Sequence, residues 1–426
     1  MSALRSSMQS SAALVLALSS AGALVGCGNT VDSSEISGTT SGHGDGGGGA
    51  DVTTGGNTGG NAGAGGEGTG GGGNGPPSAY PAPHPGMPQI PNHGGVTLHD
   101  PVIVTVTWPD EQNTAFMETL DDTIGTFAWW NTWAPDYGVH AATGGGHVEL
   151  TEAPLSQMSD DDVQSWLDDR IQDGTMPAPT DQTIYALYFS PSTTVTIPPN
   201  EGGGSSCSSF YGYHSSFSTN FQGVHTPVAY AVINNCGNRD DTTVTASHEI
   251  AEAASDPHPL TGGLAYMLTT NSPWTLAGGE NADMCSEVLG VAEAGYQLTR
   301  VWSNSSAAAG NQPCVPVVPD PNGLPYFNAG LEQDTLSATP GATVTEKVDC
   351  YSFGPLPSDI QLQAQPYSPQ TITITFDPPT CKNGDVVTMS VAVGAGAMHG
   401  TDYHYDILSS LDPMTAHVWR GMVHVQ

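Results

Sequence analysis

The stretch 227–258, PVAYAVINNCGNRDDTTVTASHEIAEAASDPH, decides how this chain is read. Residues Pro227 to Ile233 are apolar and β-rich, the pattern of a buried strand. Residues Ser247 to His258 read as one short helix that stops at Pro257. Residues four apart on a helix share a face, so His248 and Glu252 present an imidazole and a carboxylate to one point. Glu249 lies one step round the same helix, and His258 lies just past the break, where the returning chain offers a third ligand. His248, Glu252 and His258 are therefore the expected metal ligands and Glu249 the expected general base. Asp256 competes as a third ligand, or orients an imidazole from behind.

Working upstream, Val102 to Trp108 (VIVTVTW) and Thr183 to Phe189 are further β-rich runs. Phe116, Leu120, Ile124 and Phe127 repeat at helical spacing and are read as core. A second helix is predicted to start with Ser159 as N-cap. Asp160, Asp161 and Asp162 occupy its first turn, where carboxylates complement the helix dipole, and Val163, Trp166, Leu167 and Ile171 form its buried stripe. This alternation implies an α/β or α+β layer, a mixed sheet with packed helices. Residues 96–316 are taken as that metal-binding domain. After Cys314 the prolines 316, 319, 321 and 325 mark a linker. Residues 326–426 then carry only short β-rich runs, among them Thr371 to Phe376, Val386 to Val393 and Val418 to Val425. They are expected to form a C-terminal antiparallel β-sandwich.

The N-terminal region reads as an address. Residues 1–27 combine Arg5, an apolar run from Ala12 to Ala23, and Leu24-Val25-Gly26-Cys27, the pattern of a lipoprotein signal peptide with acylation at Cys27. Gly28, not Asp, follows Cys27, which in a Gram-negative cell favours the outer membrane, so an outer-membrane lipoprotein facing the surface is expected. No later apolar run reaches the ~20 residues that cross a bilayer as a helix, so the lipid is the expected anchor. Residues 28–95 are Gly-rich and then Pro-rich and are expected to be a disordered tether, with folded structure beginning near Val96.

The other six cysteines fall into neighbouring pairs, Cys207 with Cys236, Cys285 with Cys314 and Cys350 with Cys381. Six cysteines allow 15 connectivities, of which this is the simplest. Disulfides fit an exported chain, and with no close CxxC pair thiolates are not expected as metal ligands. Seven Lys+Arg against 42 Asp+Glu give a formal net charge of −35, which excludes nucleic acid as a natural partner. A convincing GxSxG elbow is absent, and no glycine-rich phosphate loop precedes a helix, so neither serine hydrolase chemistry nor a nucleotide cofactor is expected.

The segment around His248 resembles the HExxHxxGxxH zinc helix of the metzincin peptidases, with Glu252 in place of the second histidine and Ser255 in place of the glycine. More widely, residues 98 to 315 resemble the Exordium or phosphate-induced family of secreted proteins. The resemblance rests on Phe127 to Thr132 (FAWWNT) with Tyr137, on Tyr211 to Ser215 (YGYHS), on Ser247 to Glu252 (SHEIAE), on Asp256-Pro257, and on Glu280 to Cys285 (ENADMC). It implies that Glu252 is the residue proper to its position and not a lost histidine. By analogy with metzincins, Met284 is a candidate methionine turn beneath the metal and Asp283 a further oxygen ligand, with His214 another candidate near the site. Tyr211 and Tyr213 are candidate oxyanion donors.

Zinc is the expected ion and Ca2+ a lesser candidate, since imidazole ligands suit zinc. The function expected is a surface-anchored zinc metallopeptidase acting on extracellular protein or peptide. The competing expectation is a non-catalytic envelope lipoprotein with a structural metal helix and a β-domain that binds a partner or a cell-envelope polymer.

Overall fold

The computed structural model describes residues 79–426 apart from 198–202, 260, 262, 270, 271, 276, 277, 287, 413 and 414. The expected signal peptide, Cys27 and residues 28–78 lie outside the described residues. A five-stranded mixed sheet forms the first half, in the order Thr143–Glu149, Val102–Thr107, Thr183–Phe189, Val224–Asn234, Gly212–Phe221. The first four strands run parallel and the last is antiparallel. Thr183–Phe189 is buried along its whole length, as a central strand covered on both faces requires.

Period-2 alternation divides that sheet between two cores. Ile103, Ile184, Ala186, Tyr188, Ala231 and Ile233 face one side, with Met117 and Leu120 from the helix Thr114–Thr123, the tryptophans of Ala128–Trp133, and the long helix Arg239–Ser255. Val104, Val106, Tyr185, Leu187, Tyr230 and Val232 face the other, against Val163, Leu167 and Ile171 of Asp160–Gln172. The result is a sheet sandwiched between helices. The predicted N-cap is in place: Ser159 Oγ accepts from the Asp162 amide while the Asp162 carboxylate accepts from the Ser159 amide.

The second half pairs two sheets. One is Phe327–Leu331, Thr343–Ser352, Val386–Val393 and Ile372–Asp377, antiparallel throughout. The other is Thr335–Ala338, Thr415–Val425, Thr401–Asp412, Ile360–Pro366 and Thr380–Cys381. It is antiparallel except that Thr335–Ala338 runs parallel to Thr415–Val425. Cys350–Cys381 links the two sheets. The other bridges are Cys207–Cys236 and Cys285–Cys314, so all three neighbouring pairs are realised.

Two expectations are corrected. Residues 79–95 are not part of a free tether, because Ala82, Met87 and Ile90 are buried in the core and the Ala82 amide donates to Asn383 Oδ1 in the β-sandwich. Enough apolar side chains punctuate this Pro-rich segment to offset the cost of ordering it. The segment therefore runs along both halves, which also meet at Trp274, whose ring stands edge-on to Trp419 at 5.7 Å. The site helix is also longer than the motif alone suggests. It begins at Arg239, with Asn238 as N-cap accepting from the Asp240 amide and with Asp240 and Asp241 in its first turn.

Candidate metal centre

The helix Arg239–Ser255 is buried all round from Thr245 to Ser255. Such a helix must be core, and its small side chains at Ala246, Ala251, Ala253 and Ala254 let it sit close to the sheet. It ends where the Asp256 amide turns back to Glu252 O at 2.7 Å and Pro257 follows. Into this apolar setting the helix carries His248, Glu249 and Glu252, each 2–4% exposed.

Two other elements complete the cluster. His214 comes from Gly212–Phe221, opposite Ala231, and so shares the helix-facing side of the sheet. Glu280 and Asp283 come from the turn closed by Asp283–Cys285, which the Cys285–Cys314 bridge anchors. That turn is bonded to the site helix: the Asp283 amide donates to Glu252 Oε1 at 3.0 Å, and Asn281 Nδ2 donates to Ser255 Oγ at 2.9 Å. Two glycines make room. A Cβ on Gly212 would meet Val232 O at 2.8 Å and Glu249 Oε1 at 2.9 Å. Gly278, at φ +117°, lies where a Cβ would fall on the Asp283 carboxylate.

His248 Nε2 stands 3.1 Å from Glu252 Oε1 and 3.4 Å from Asp283 Oδ1. His214 Nδ1 stands 3.4 Å from Glu252 Oε2 and 3.9 Å from Glu249 Oε2, while His214 Nε2 is 3.3 Å from Glu280 Oε1. Two groups of three donors result, His214 with Glu249 and Glu252, and His248 with Glu252 and Asp283. Donor atoms arranged tetrahedrally around zinc at ~2.0–2.1 Å are ~3.3 Å from one another, so these spacings suit ligation. His248 Nε2, Glu249 Oε1 and Asp283 Oδ2 are buried without a hydrogen-bond partner. A buried polar atom without a partner is costly, and a cation would satisfy the His248 nitrogen directly while balancing the charge of the two carboxylates. The residues present fit a divalent metal.

Without a metal, protons must supply the balancing charge. Burial opposes a charge on either imidazole, but Glu280, Glu249 and Glu252 hold His214 well above its ordinary value, and Glu252, Asp283 and Glu249 do the same for His248. Burial pushes Glu280 up to about 8 and Asp283 up to about 7, with Glu252 adding to both. Burial raises Glu249 too. Glu252 goes the other way, to about 2, because the two imidazoles outweigh its desolvation.

His248, Glu249, Glu252 and Asp283 thus lie together, and His214 lies among them. His258 is buried but belongs to neither donor group; burial pushes it down to about 4, and its Nδ1 has no hydrogen-bond partner. Asp256 accepts from the Ala265 amide at 3.0 Å and is raised to about 6 by burial. Met284 is a core residue on the same turn as Asp283. Tyr213 faces away from the site, its hydroxyl donating to Asp160 Oδ1 at 2.6 Å on the opposite side of the sheet, and Tyr211 is half-exposed. Glu280 stands out in the sequence only as the first residue of the ENADMC stretch. Its signal was being the acid three residues before Asp283, on the same tight turn.

No family model matches the chain, and no curated protein matches it. Among solved structures it is similar to domains 4 and 5 of the S-layer protein SbsC, with 15% identity and a TM-score of 0.19 over 24% of this chain and 46% of that one. It is also similar to a nucleoside hydrolase-related hypothetical protein from Saccharophagus degradans, with 16% identity and a TM-score of 0.18 over 24% of this chain and 26% of that one. A Bacteroides ovatus GH5 xyloglucanase matches with 10% identity and a TM-score of 0.16 over 24% of this chain and 19% of that one. The chain thus spans less than half the length of each of these neighbours. At such values the likeness assigns neither fold nor function.

Proposed function

We propose that this chain is an exported, surface-anchored lipoprotein whose α/β domain is a zinc-dependent hydrolase acting on extracellular protein or peptide. The observation that supports it is the approach of Glu252 Oε1 and Asp283 Oδ1 to His248 Nε2, at 3.1 and 3.4 Å, with all three donors within 4.8 Å of one another and an unpartnered Glu249 oxygen beside them. His248, Glu252 and Asp283 would hold the ion, which supplies Lewis-acid polarisation of a carbonyl and acidifies water. Glu249 is the proton acceptor. It sits one residue from His248, and its burial raises its proton affinity above that of a free carboxylate, the direction a general base needs. Three disulfides fit the export this reading requires.

Glu249→Gln in the full chain should retain the ion held by His248, Glu252 and Asp283 and lose cleavage of a broad unfolded-protein substrate panel. Cleavage that survives the substitution would overturn the assignment. One observation favours a second reading: every member of the cluster is at most 8% exposed, which suits a structural ion in a non-catalytic envelope protein. That reading holds if zinc is present, no hydrolysis is found in the wild type, and zinc removal lowers thermal stability.

A further inference from the structure

We infer that the centre is built for two divalent cations, with Glu252 as the carboxylate that bridges them. The inference rests on the metal-binding reading above and goes beyond it in stoichiometry, ligand set and the place of His214. The two oxygens of Glu252 address different imidazoles, Oε1 facing His248 Nε2 at 3.1 Å and Oε2 facing His214 Nδ1 at 3.4 Å. Each oxygen belongs to its own set of three donors. One set adds Asp283 Oδ1, 3.4 Å from His248 Nε2, and the other adds Glu249 Oε2, 3.9 Å from His214 Nδ1. A carboxylate placed in this way between two donor sets is what holds two ions ~3.5–4 Å apart in two-metal sites.

The surroundings support two ions over one. Glu280 Oε1 lies 3.3 Å from His214 Nε2, the nitrogen turned away from Glu249 and Glu252. His214 Nε2 makes no hydrogen bond at that separation, but a carboxylate behind an imidazole, once bonded to it, is the usual device that fixes the ring and directs its other nitrogen at a metal. Nothing about a single ion at His248 calls for that arrangement on His214. Charge leads to the same conclusion. Glu249, Glu252, Glu280 and Asp283 bring four carboxylates into a space at most 4% exposed, with no Lys or Arg paired to them among the described residues. One divalent ion leaves the rest of the balance to protons held on Glu280, Asp283 or the imidazoles, whereas two ions balance all four carboxylates around neutral imidazoles, and uncompensated buried charge is strongly disfavoured. Glu249 can serve both purposes, since ligation through Oε2 leaves Oε1 free of any hydrogen bond. One imidazole per ion with carboxylate oxygens suits first-row cations such as Zn2+ or Mn2+.

The test is metal stoichiometry on the full chain. Protein stripped by a chelator, reloaded with Zn2+ alone and desalted should hold two ions per chain by elemental analysis, and His214→Ala should hold one. Reloaded with Mn2+, the wild type should give an exchange-coupled multiline electron paramagnetic resonance signal, and His214→Ala the six-line signal of an isolated ion. The wild-type ratio and spectrum decide the matter even if the variant does not fold. One ion per wild-type chain, or two retained by folded His214→Ala, overturns the two-ion centre and leaves the proposed hydrolase standing. No bound ion overturns both.

Discussion

The metal-free protein should lose stability as pH rises from 5 to 7, in the range where most proteins are most stable. The perturbation is removal of metal by chelation followed by dialysis into chelator-free buffer. In the stripped protein Glu280 is raised from 4.5 to about 8 and Asp283 from 3.8 to about 7, both through burial first and the Glu252 charge second. Between pH 5 and 7 the folded state therefore holds protons on these acids that the unfolded chain has already released. The unfolded state binds fewer protons, so stability falls with rising pH, by about 1.4 kcal/mol per pH unit for each proton held. His214 and His248, both raised, act in the same direction above their ordinary value of 6.5, because only the folded state keeps their protons there. Glu252, lowered to about 2, removes stability only as pH falls through the acid range below 4.5. One such proton should lower Tm by roughly 2–4 °C per pH unit, read by calorimetry at pH 5, 6 and 7. Metal-loaded protein should show the opposite trend, since ligation requires deprotonated donors. At a free metal concentration 100 times Kd, the loaded protein should exceed the stripped one by about 2.7 kcal/mol for each ion bound. The chain's acidity gives a background pH dependence, and Glu280→Gln isolates the site from it by removing about 1.4 kcal/mol per pH unit from the slope. A stripped protein whose Tm is flat or rising over this range, or a slope unchanged in Glu280→Gln, would refute the reasoning.

Other consequences follow from the packing of the same site. Gly212→Ala should cost about 1–3 kcal/mol, because the new methyl meets Val232 O at 2.8 Å and Glu249 Oε1 at 2.9 Å; urea unfolding and zinc affinity measured on the same sample should both fall. Gly278→Ala adds positive-φ strain to a collision with the Asp283 carboxylate, so titration with a zinc indicator should show weakened binding. Replacing Cys285 and Cys314 by Ala opens a bridge of sequence separation 29. That should cost about 3–4 kcal/mol in denaturant melts and release the turn that carries Glu280 and Asp283. Ser159→Ala removes the N-cap on the face of the sheet away from the site. It should cost about 1 kcal/mol and leave metal content unchanged; a loss of metal there would mean that the two faces are coupled.

The parts of this molecule that were legible in its sequence are those that local periodicity controls. Val102–Thr107 and Thr183–Phe189 were found because β-rich residues run unbroken through a sheet covered on both faces. Ser159 was found because its capping partner lies only three residues away. The helix start was not found, because Arg239 to Ala246 has no apolar stripe; threonines fill that turn, and two of them bond to backbone oxygens four residues back, Thr242 to Asn238 and Thr245 to Asp241. Spacing on one helix gave His248, Glu249 and Glu252, but the other half of the cluster depends on register. His214 reaches the site only because its strand pairs antiparallel with Ala231 opposite it, and a one-residue slip would turn Tyr213 inward instead. Glu280 and Asp283 reach it through a disulfide-held turn that no periodic pattern announces. The metzincin comparison placed the third ligand at His258 by chain distance. The fold instead brings three carboxylates and a second histidine round Glu252. Glu252 therefore need not be a substitute for a missing imidazole: a histidine there would offer one nitrogen to one ion, whereas a carboxylate presents one oxygen to each of two histidines.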